Sequence, residues 1–325
     1  MEPVIGVPSG GFLPHAGLAT VRTEARPVPA VPRVKADRFG PPPSAWYPVA
    51  RASAVRRHLI VSLLGEQVRL AVQNTDIVVL EPAAEWAVRV HLGLIWLRRL
   101  GGPEMAIPSL IDDRAGTPEF PMIACSEIEV QADYDQTVLG LVDPAHVPMV
   151  HTAWWWRSSD RRRVKTKAYI PTPFGFTATA ADAFASAPAY ELVGHDREVT
   201  IEFRLPSTRI ERVRSQRMQL LNVTTVTPLA SGRVLLRNVI YSSVRPLRWL
   251  YPALSALGRA FLEQDARILR RLDSHASTHQ PLLFVGEPDQ PSAWYFQCKM
   301  ALARTVGGSD AFVNPVKAAV LKWRT

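Results

Sequence analysis

Alternating apolar and polar positions begin near Trp46 and predict a run of short β-strands. Within 67–72, for example, every second residue is apolar. Turn-forming residues such as Asn74 and Gly101 separate one run from the next. The runs lie at 58–64, 67–72, 77–80, 86–90 and 92–97. Together they predict a small antiparallel β unit over residues 46–115.

Beyond residue 115 the pattern mixes strands with helices. Further strands are predicted at 167–170, 175–179, 199–203, 220–226 and 234–241. From Leu254 to Leu272, apolar residues recur at helical spacing instead, which predicts one long helix. A long helix that follows an antiparallel sheet indicates an α+β fold, and residues 116–325 are assigned to this second domain.

The first part of the chain, residues 1–45, follows neither pattern. It is rich in proline, including Pro41, Pro42 and Pro43, and shows no sustained periodicity. Because proline lacks a backbone donor and fixes φ, this segment is predicted to be an extended or disordered tail without chemistry of its own.

The amino-acid composition indicates a globular protein and argues against several other classes. The 325 residues are 47% hydrophobic, which is enough to bury a large core. The two cysteines, Cys125 and Cys298, argue against a disulfide framework and against a four-cysteine metal site. No apolar run reaches the roughly 18 residues of a membrane span, and the N-terminus lacks the pattern of a secretory signal. The expected location is therefore the cytoplasm.

The net charge of +9 is partly concentrated in one run, Arg157 and 161–167. Such a run either forms a solvated loop or attracts an anionic surface, such as an acidic protein. No zinc-finger spacing or other nucleic-acid-binding motif accompanies it, so nucleic acid is not an expected partner.

Candidate chemistry lies at His146 and His151, which follow the step Asp143-Pro144. Aspartate before proline is typical of a helix start, so a helix is predicted to begin there. Residues five apart on a straight helix point about 140° away from each other. A kink at Pro148 would let both rings reach one ion, and Asp143 would accept a hydrogen bond from the second ring nitrogen of His146. Spacing alone leaves open a chance histidine pair and a simple helix cap.

A third ligand is available in the long predicted helix, at Asp265. Glu263 and Asp273 lie on neighbouring turns, so spacing alone does not choose among the three carboxylates. Two histidines and one carboxylate, with open coordination positions, form the ligand set of non-haem Fe(II) oxygenases. Convergence of these residues would make the chain an oxygen-activating enzyme.

Family resemblance supports this interpretation. Residues 140–151 resemble the iron-binding motif of Rieske-type ring-hydroxylating and demethylating oxygenases, in which Asp, two residues and His precede a second His. Residues 261–269 resemble the family's late helix, and 294–299 resemble its C-terminal tail. The resemblance covers about residues 46–305. It implies a helix-grip fold, a curved antiparallel sheet around a long helix, and a small Rieske-like β subdomain before it.

The same resemblance assigns roles to four residues. It implies that His146, His151 and Asp265 bind one mononuclear Fe(II). Asp143 becomes the bridge through which electrons arrive from a neighbouring subunit, in an assembly based on a trimer. O₂ and an apolar or aromatic small molecule are the implied substrates, with hydroxylation or demethylation as the implied reaction.

The sequence also departs from the family pattern. The Cys-x-His and Cys-x-x-His pairs that hold a [2Fe–2S] cluster are missing, and Glu127 stands two residues after Cys125 where a histidine would be needed. The Rieske-like subdomain is therefore expected to be degenerate, as in the cluster-less subunit of methylxanthine N-demethylases. A Rieske protein or ferredoxin, with its reductase, is expected to supply electrons in trans. A 2-oxoacid cosubstrate is disfavoured because its enzymes place the carboxylate ligand before the second histidine.

Two other classes of function remain as alternatives. A helix-grip fold also serves as a non-catalytic carrier of hydrophobic ligands, and such a protein would bind them without His146. A structural subunit of an oxygenase is the second alternative, although it would need none of the three ligands. In the enzyme, Trp154, Trp155 and Trp156 would line the substrate pocket or simply pack in the core.

Overall fold

The structure is a computed structural model that describes residues 40–102, 114–151, 164–180, 197–230, 232–275, 282–306 and 311–324. The strands are β1 (Tyr47–Arg51), β2 (His58–Leu63), β3 (Glu66–Gln73), β4 (Asp76–Glu81), β5 (Trp86–His91), β6 (Leu94–Arg99), β7 (Met122–Gln131), β8 (Val164–Thr172), β9 (Gly175–Ala180), β10 (Glu198–Arg204), β11 (Thr208–Arg214), β12 (Gln219–Ala230), β13 (Arg233–Ser242) and β14 (Ala319–Arg324). The α-helices are α1 (Tyr134–Val142), α2 (Val147–Val150), α3 (Tyr251–His275) and α4 (Gln290–Val306).

The strands form three antiparallel sheets. One sheet has eight strands in the order β14-β8-β9-β10-β11-β12-β13-β7, and two small sheets have the orders β1-β6-β5 and β2-β3-β4. This mixture of antiparallel sheets and a few helices agrees with the expected α+β class. None of the described helices has both the length and the apolar character of a membrane span.

The ten strands predicted from alternation are present as β2–β6, β8–β10, β12 and β13, and the predicted long helix is present as α3. The start predicted for β6 at residue 92 was wrong, because Leu92 and Gly93 form the turn before β6 with φ angles of 58° and 67°. Residues 1–39 of the predicted tail lie outside the described residues. Its last residue, Ala45, is buried in the core and does not belong to a solvated segment.

Helix α3 packs against one face of the eight-stranded sheet, which we call the inner face. Ser126 of β7 donates its hydroxyl hydrogen bond to the Ser255 carbonyl at 2.8 Å, and the Ser255 hydroxyl accepts one from the Cys125 N–H at 3.1 Å. Further along the helix, Leu262 and Ala266 are buried in the main hydrophobic core. These contacts fix the helix that carries Asp265.

Gly258 allows the close approach of α3 to β7. A Cβ at this position would lie 2.3 Å from the Ser126 Oγ, whereas a Cβ at Gly140 of α1 would meet nothing within 4 Å. We expect Gly258→Ala to lower the free energy of unfolding by about 1–3 kcal/mol because α3 must shift. The matched Gly140→Ala should raise it by about 0.5–1 kcal/mol. Urea unfolding of both variants measures the difference, and equal effects would contradict the packing.

Arg237 of β13 joins the opposite face of the large sheet to the small sheet that contains β1. Its buried guanidinium donates to the carbonyls of Pro48 and Val49 in β1 and to the Glu127 carboxylate, 2.8 Å from Nε. Cys125 lies beside this pair, with its Sγ 3.6 Å from Glu127. The position that would need a histidine in a cluster motif is thus used for packing between sheets.

Candidate metal centre

The segment with the two histidines is a turn after α1 followed by the short α2, and the helix start expected at Asp143 was wrong. Asp143 follows the last residue of α1, and α2 begins only at Val147. The residue before a proline is disfavoured in the helical conformation, so Pro144 ends α1 there. Pro148 lies in the first turn of the four-residue α2, where proline is tolerated, and does not kink a longer helix.

His146 is held by a backbone group of Asp143. Its Nδ1 lies 2.6 Å from the Asp143 carbonyl oxygen, which can only accept. The proton is therefore on Nδ1, and Nε2 is left with a lone pair for a metal. We predicted that the Asp143 carboxylate would accept the hydrogen bond of the His146 ring, and this prediction was wrong. The carboxylate instead accepts from the Ala145 N–H at 2.7 Å. The carbonyl gives the ring the orientation that the carboxylate was expected to give.

His151 lies at the C-terminal end of α2 and is only 2% exposed. Its ring stacks on Phe261 of α3, with 3.7 Å between the ring centroids and 14° between the planes. The centroids of the two imidazoles are 5.6 Å apart. The turn therefore brings both rings to the same side, and α3 fixes the second one.

Asp265 approaches the histidines from α3. Its Oδ1 lies 3.4 Å from Nε2 of His151, and one ligand atom from each of the three residues lies within 4.8 Å of the others. The structure also decides between neighbouring carboxylates, because Glu263 points away and pairs with Arg270 at 2.7 Å. Across the described ranges, this is the one group of three or more such side chains, and it includes neither cysteine.

Burial acts in opposite directions on the two kinds of donor in this group. Burial lowers the pKa of His151 to about 3, helped by the neighbouring His146, whose own pKa burial also lowers. Burial raises the pKa of the Asp265 carboxyl to about 7, against the opposite effect of Arg209. Both imidazoles are thus neutral near pH 7 and available to a metal, whereas the partly buried Asp265 carboxyl must lose its proton to bind one. These donors fit a divalent metal ion.

We expect the pH dependence of ferrous affinity to come mainly from Asp265. Because its pKa is raised to about 7, a proton competes with the metal below that pH, whereas His151, with a pKa of about 3, is already deprotonated and burial also lowers the pKa of His146. Affinity should fall about tenfold per pH unit from pH 6.5 to 5 and level off above pH 7.5. Anaerobic titration with Fe(II) at each pH measures this. A slope of two or three protons would show that the histidines titrate as well.

Several other predicted features lie elsewhere. Trp154, Trp155, Trp156 and most of the basic run fall outside the described residues. At the end of that run, Lys167 is buried in β8, so the solvated-loop interpretation was wrong for this residue. Sequence reasoning did not identify Arg209 of β11, which influences all three proposed ligands. No motif marks it, since it lies in a strand that alternation did not predict.

The fold and the three converging side chains define an antiparallel-sheet protein with a candidate mononuclear metal centre. No protein-family model matches the sequence, and no curated protein sequence matches it. Solved structures do match. Dicamba monooxygenase bound to dicamba has a TM-score of 0.63 at 13% identity, covering 82% of this chain and 97% of that one. NdmA of Pseudomonas putida CBB5 has a TM-score of 0.60 at 13% identity, covering 83% and 93%.

A structure of dicamba monooxygenase with non-heme iron and dicamba also matches, with a TM-score of 0.58, 13% identity and coverage of 81% and 98%. The chain therefore shares the fold of these solved structures along most of its length. At this level of identity, the likeness concerns the fold. The activity has to be argued from the residues themselves.

Proposed function

We propose that this chain is the catalytic subunit of an oxygenase in which His146, His151 and Asp265 hold one ferrous ion. The observation that carries the proposal is the convergence of three donor atoms, within 4.8 Å, from two segments far apart in the sequence. A structural subunit or a ligand carrier would not need this convergence. When bound, the iron supplies the activation of O₂ for hydroxylation or demethylation of a small molecule.

The residues of the chain hold and orient this site. The Asp143 carbonyl fixes the His146 ring, and Phe261 holds His151 in place by stacking. His151 is buried, and His146 and Asp265 are partly buried, so charges at the site interact more strongly than in bulk solvent. Asp143 is also our proposed bridge for electrons from a neighbouring subunit, since it contacts the ring of a ligand directly.

We infer that the electrons come from a separate protein. Cys125 and Cys298 are free thiols in β7 and α4, and neither belongs to a group of potential metal ligands among the described residues. The family's cluster-binding pairs are missing from the sequence. A Rieske protein or ferredoxin with its reductase is therefore the proposed donor, and a trimer-based assembly would bring it to Asp143.

The finer division of the fold is part of this proposal. We propose that residues 46–115 form a degenerate Rieske-like subdomain and that residues 116–325 form the catalytic domain with a helix-grip arrangement. Two small three-stranded sheets in the first part, and α3 against the eight-stranded sheet in the second, support the division.

Anaerobic loading with Fe(II), followed by turnover, tests the proposed function. We expect about one iron per chain and no [2Fe–2S] absorbance. Methoxy- and N-methyl-arenes are suitable first substrates, because oxidative demethylation releases formaldehyde that is easily measured. Product should form only when a Rieske-type donor and its reductase are added. Iron-independent binding of these arenes that survives His146→Ala would favour a ligand carrier, and turnover with 2-oxoglutarate alone would refute electron supply in trans.

A further inference from the structure

Trp249 and Leu250 are exposed apolar residues that belong neither to the core nor to the metal centre. Trp249 is 75% exposed and Leu250 is 52% exposed. They end a short 3₁₀ helix, Arg245–Leu250, which packs against β7 and runs directly into α3. Tryptophan is largely buried in most proteins, so an exposed pair of this kind indicates a surface that contacts something other than water.

The exposed apolar surface continues along the first turns of α3. Leu250, Ala253 and Leu257 are spaced as one face of a helix, and Leu257 is 42% exposed. Ala253 is exposed as well. Ser255 and Gly258 lie on the other side of these turns and contact β7. The start of α3 therefore packs on the sheet through one side and leaves an apolar stripe in solvent.

Arginines border this stripe. Every charged side chain between Glu211 and Glu263 in the sequence is an arginine. Two of them, Arg245 and Arg248, are exposed in the 3₁₀ helix itself, and the Arg248 guanidinium lies 4.9 Å from the centroid of the Trp249 ring. Neither arginine forms an ion pair with another described residue. The 3₁₀ helix thus combines an exposed indole with uncompensated positive charge.

The turn between β11 and β12 adds more arginines. The Ser243 N–H donates to the Gln219 carbonyl at 3.0 Å, and the Gln219 N–H donates to the Ser243 hydroxyl at 2.9 Å. These bonds hold the turn beside the 3₁₀ helix, and Arg214 and Arg217 at the turn are exposed. The Arg114 guanidinium also lies here and donates to the Gln219 side chain at 3.1 Å.

Two exposed carboxylates offset part of this charge. Glu198 pairs in register with Arg214. Glu119 lies two residues before Pro121, whose carbonyl accepts from the Ser242 N–H at 3.2 Å. The arginines of the turn and of the 3₁₀ helix outnumber these two carboxylates, so this part of the described chain carries a positively charged surface.

An apolar stripe with arginines beside it has the character of a helix that lies in a membrane interface. Tryptophan prefers that depth because its ring is apolar and its N–H reaches the polar headgroups. Basic side chains next to the ring add attraction to lipids with negative headgroups. We call this surface the arginine–tryptophan surface, and it consists of Arg217, Arg245, Arg248, Trp249, Leu250 and Leu257.

We infer that the arginine–tryptophan surface attaches the chain peripherally to an anionic lipid bilayer. Trp249 and Leu250 enter the interface, and Arg245 and Arg248 contact lipid phosphates. An acidic protein is the other class of partner, since aromatic residues and arginine are also enriched at protein interfaces. The bilayer is favoured because Trp249 projects into solvent, and a lipid interface accepts a projecting ring without a matching pocket. The inference goes beyond the proposed function and does not depend on iron.

Co-sedimentation of the full chain with lipid vesicles tests the inference. Vesicles of phosphatidylcholine alone are compared with vesicles of phosphatidylcholine and phosphatidylglycerol. Because several arginines face the anionic headgroups, the mixed vesicles should bind the chain at least about tenfold more tightly. The preference should shrink as salt is added, because salt screens exposed charges.

Two double variants separate the apolar and the charged contributions. Trp249→Ala with Leu250→Ala removes the side chains that enter the interface, and Arg245→Gln with Arg248→Gln removes two of the charges. Each should weaken binding to the mixed vesicles at least about tenfold. All four side chains are exposed, so the circular dichroism spectrum and the urea midpoint should not change.

Val285→Ala and the double variant Lys317→Gln with Lys322→Gln are the matched controls. Val285 is 77% exposed, and both lysines are exposed. Lys322 lies in β14, at the opposite edge of the eight-stranded sheet from β7. These changes remove an exposed apolar side chain and two positive charges away from the arginine–tryptophan surface. Vesicle binding should therefore stay at the wild-type level.

The possible outcomes decide between this surface and its alternatives. Equal binding to both kinds of vesicle, or binding that survives Trp249→Ala with Leu250→Ala, would overturn the inference. Equal losses in the lysine control would show that the net charge of +9 attracts lipid without a defined surface, which would also overturn it. Absence of binding to either vesicle would leave an acidic protein as the partner. A chain that binds no iron but binds the mixed vesicles through Trp249 would refute only the proposed function.

Discussion

Alanine at His146, His151 or Asp265 is expected to remove iron from the chain and to abolish turnover. Each substitution deletes one of the three converging donors, and the remaining two are not enough to hold Fe(II) in competition with water. Loss of residues that merely support metal ligands already costs about 10–100-fold in affinity. A loss of at least that size is expected here, measured as iron per chain after anaerobic loading and desalting.

Glu263→Ala is the matched control for Asp265→Ala. It removes a carboxylate from the same helix, two residues away, that pairs with Arg270 instead of facing the histidines. Iron content should therefore stay at the wild-type level. Retention of iron by Asp265→Ala, or its loss from Glu263→Ala, would show that the wrong carboxylate has been assigned.

Lys299→Met is expected to destabilise the fold by about 3–5 kcal/mol, because it leaves the buried carboxylate of Asp135 without its cation. Lys299 in α4 pairs with Asp135 in α1, and these residues are 3% and 1% exposed. Tyr295 donates to the same carboxylate at 2.5 Å, and Lys299 also donates to the Gly40 carbonyl at 2.8 Å. Urea unfolding measures the loss.

Two further variants serve as controls for Lys299→Met. The double variant Asp135→Asn with Lys299→Met removes both charges, so it should be more stable than Lys299→Met alone. Arg99→Met breaks two partly exposed pairs, with Glu66 at 2.6 Å and with Glu85 at 3.2 Å, and should cost less than about 1 kcal/mol in all. Equal losses for the buried pair and the partly exposed pairs would contradict the proposed role of burial.

Strands β3 and β11 show why alternation predicted one strand and missed another. In β3, apolar Val68 and Leu70 are buried while Arg69 between them is exposed, so the period of two is visible in the sequence. In β11, which alternation missed, both faces are buried, with Glu211 on one face and Ile210 on the other. Charged residues on a buried face remove the contrast on which the prediction depends.

The segment with His146 and His151 shows a second reason why the sequence alone did not predict the local structure. The step Asp143-Pro144 fits a helix start and a helix end equally well by residue type. Whether the helix starts or ends at this step depends on the preceding residues. Asp133 caps α1, and the apolar face of α1 packs into the core. That contact is made with distant parts of the chain, so local sequence does not reveal it.

The amino-acid sequence alone was sufficient for the α+β class, most strands and the long helix, because these depend on periodicity and on residue type. The three candidate ligands came from the resemblance to a known family, since spacing left the choice of carboxylate open. Only the tertiary structure decided that Asp265 and not Glu263 faces the histidines, that a carbonyl orients His146, and that Trp249 is exposed among arginines. Those outcomes depend on helix rotation, strand register and burial, which arise only when distant segments pack together.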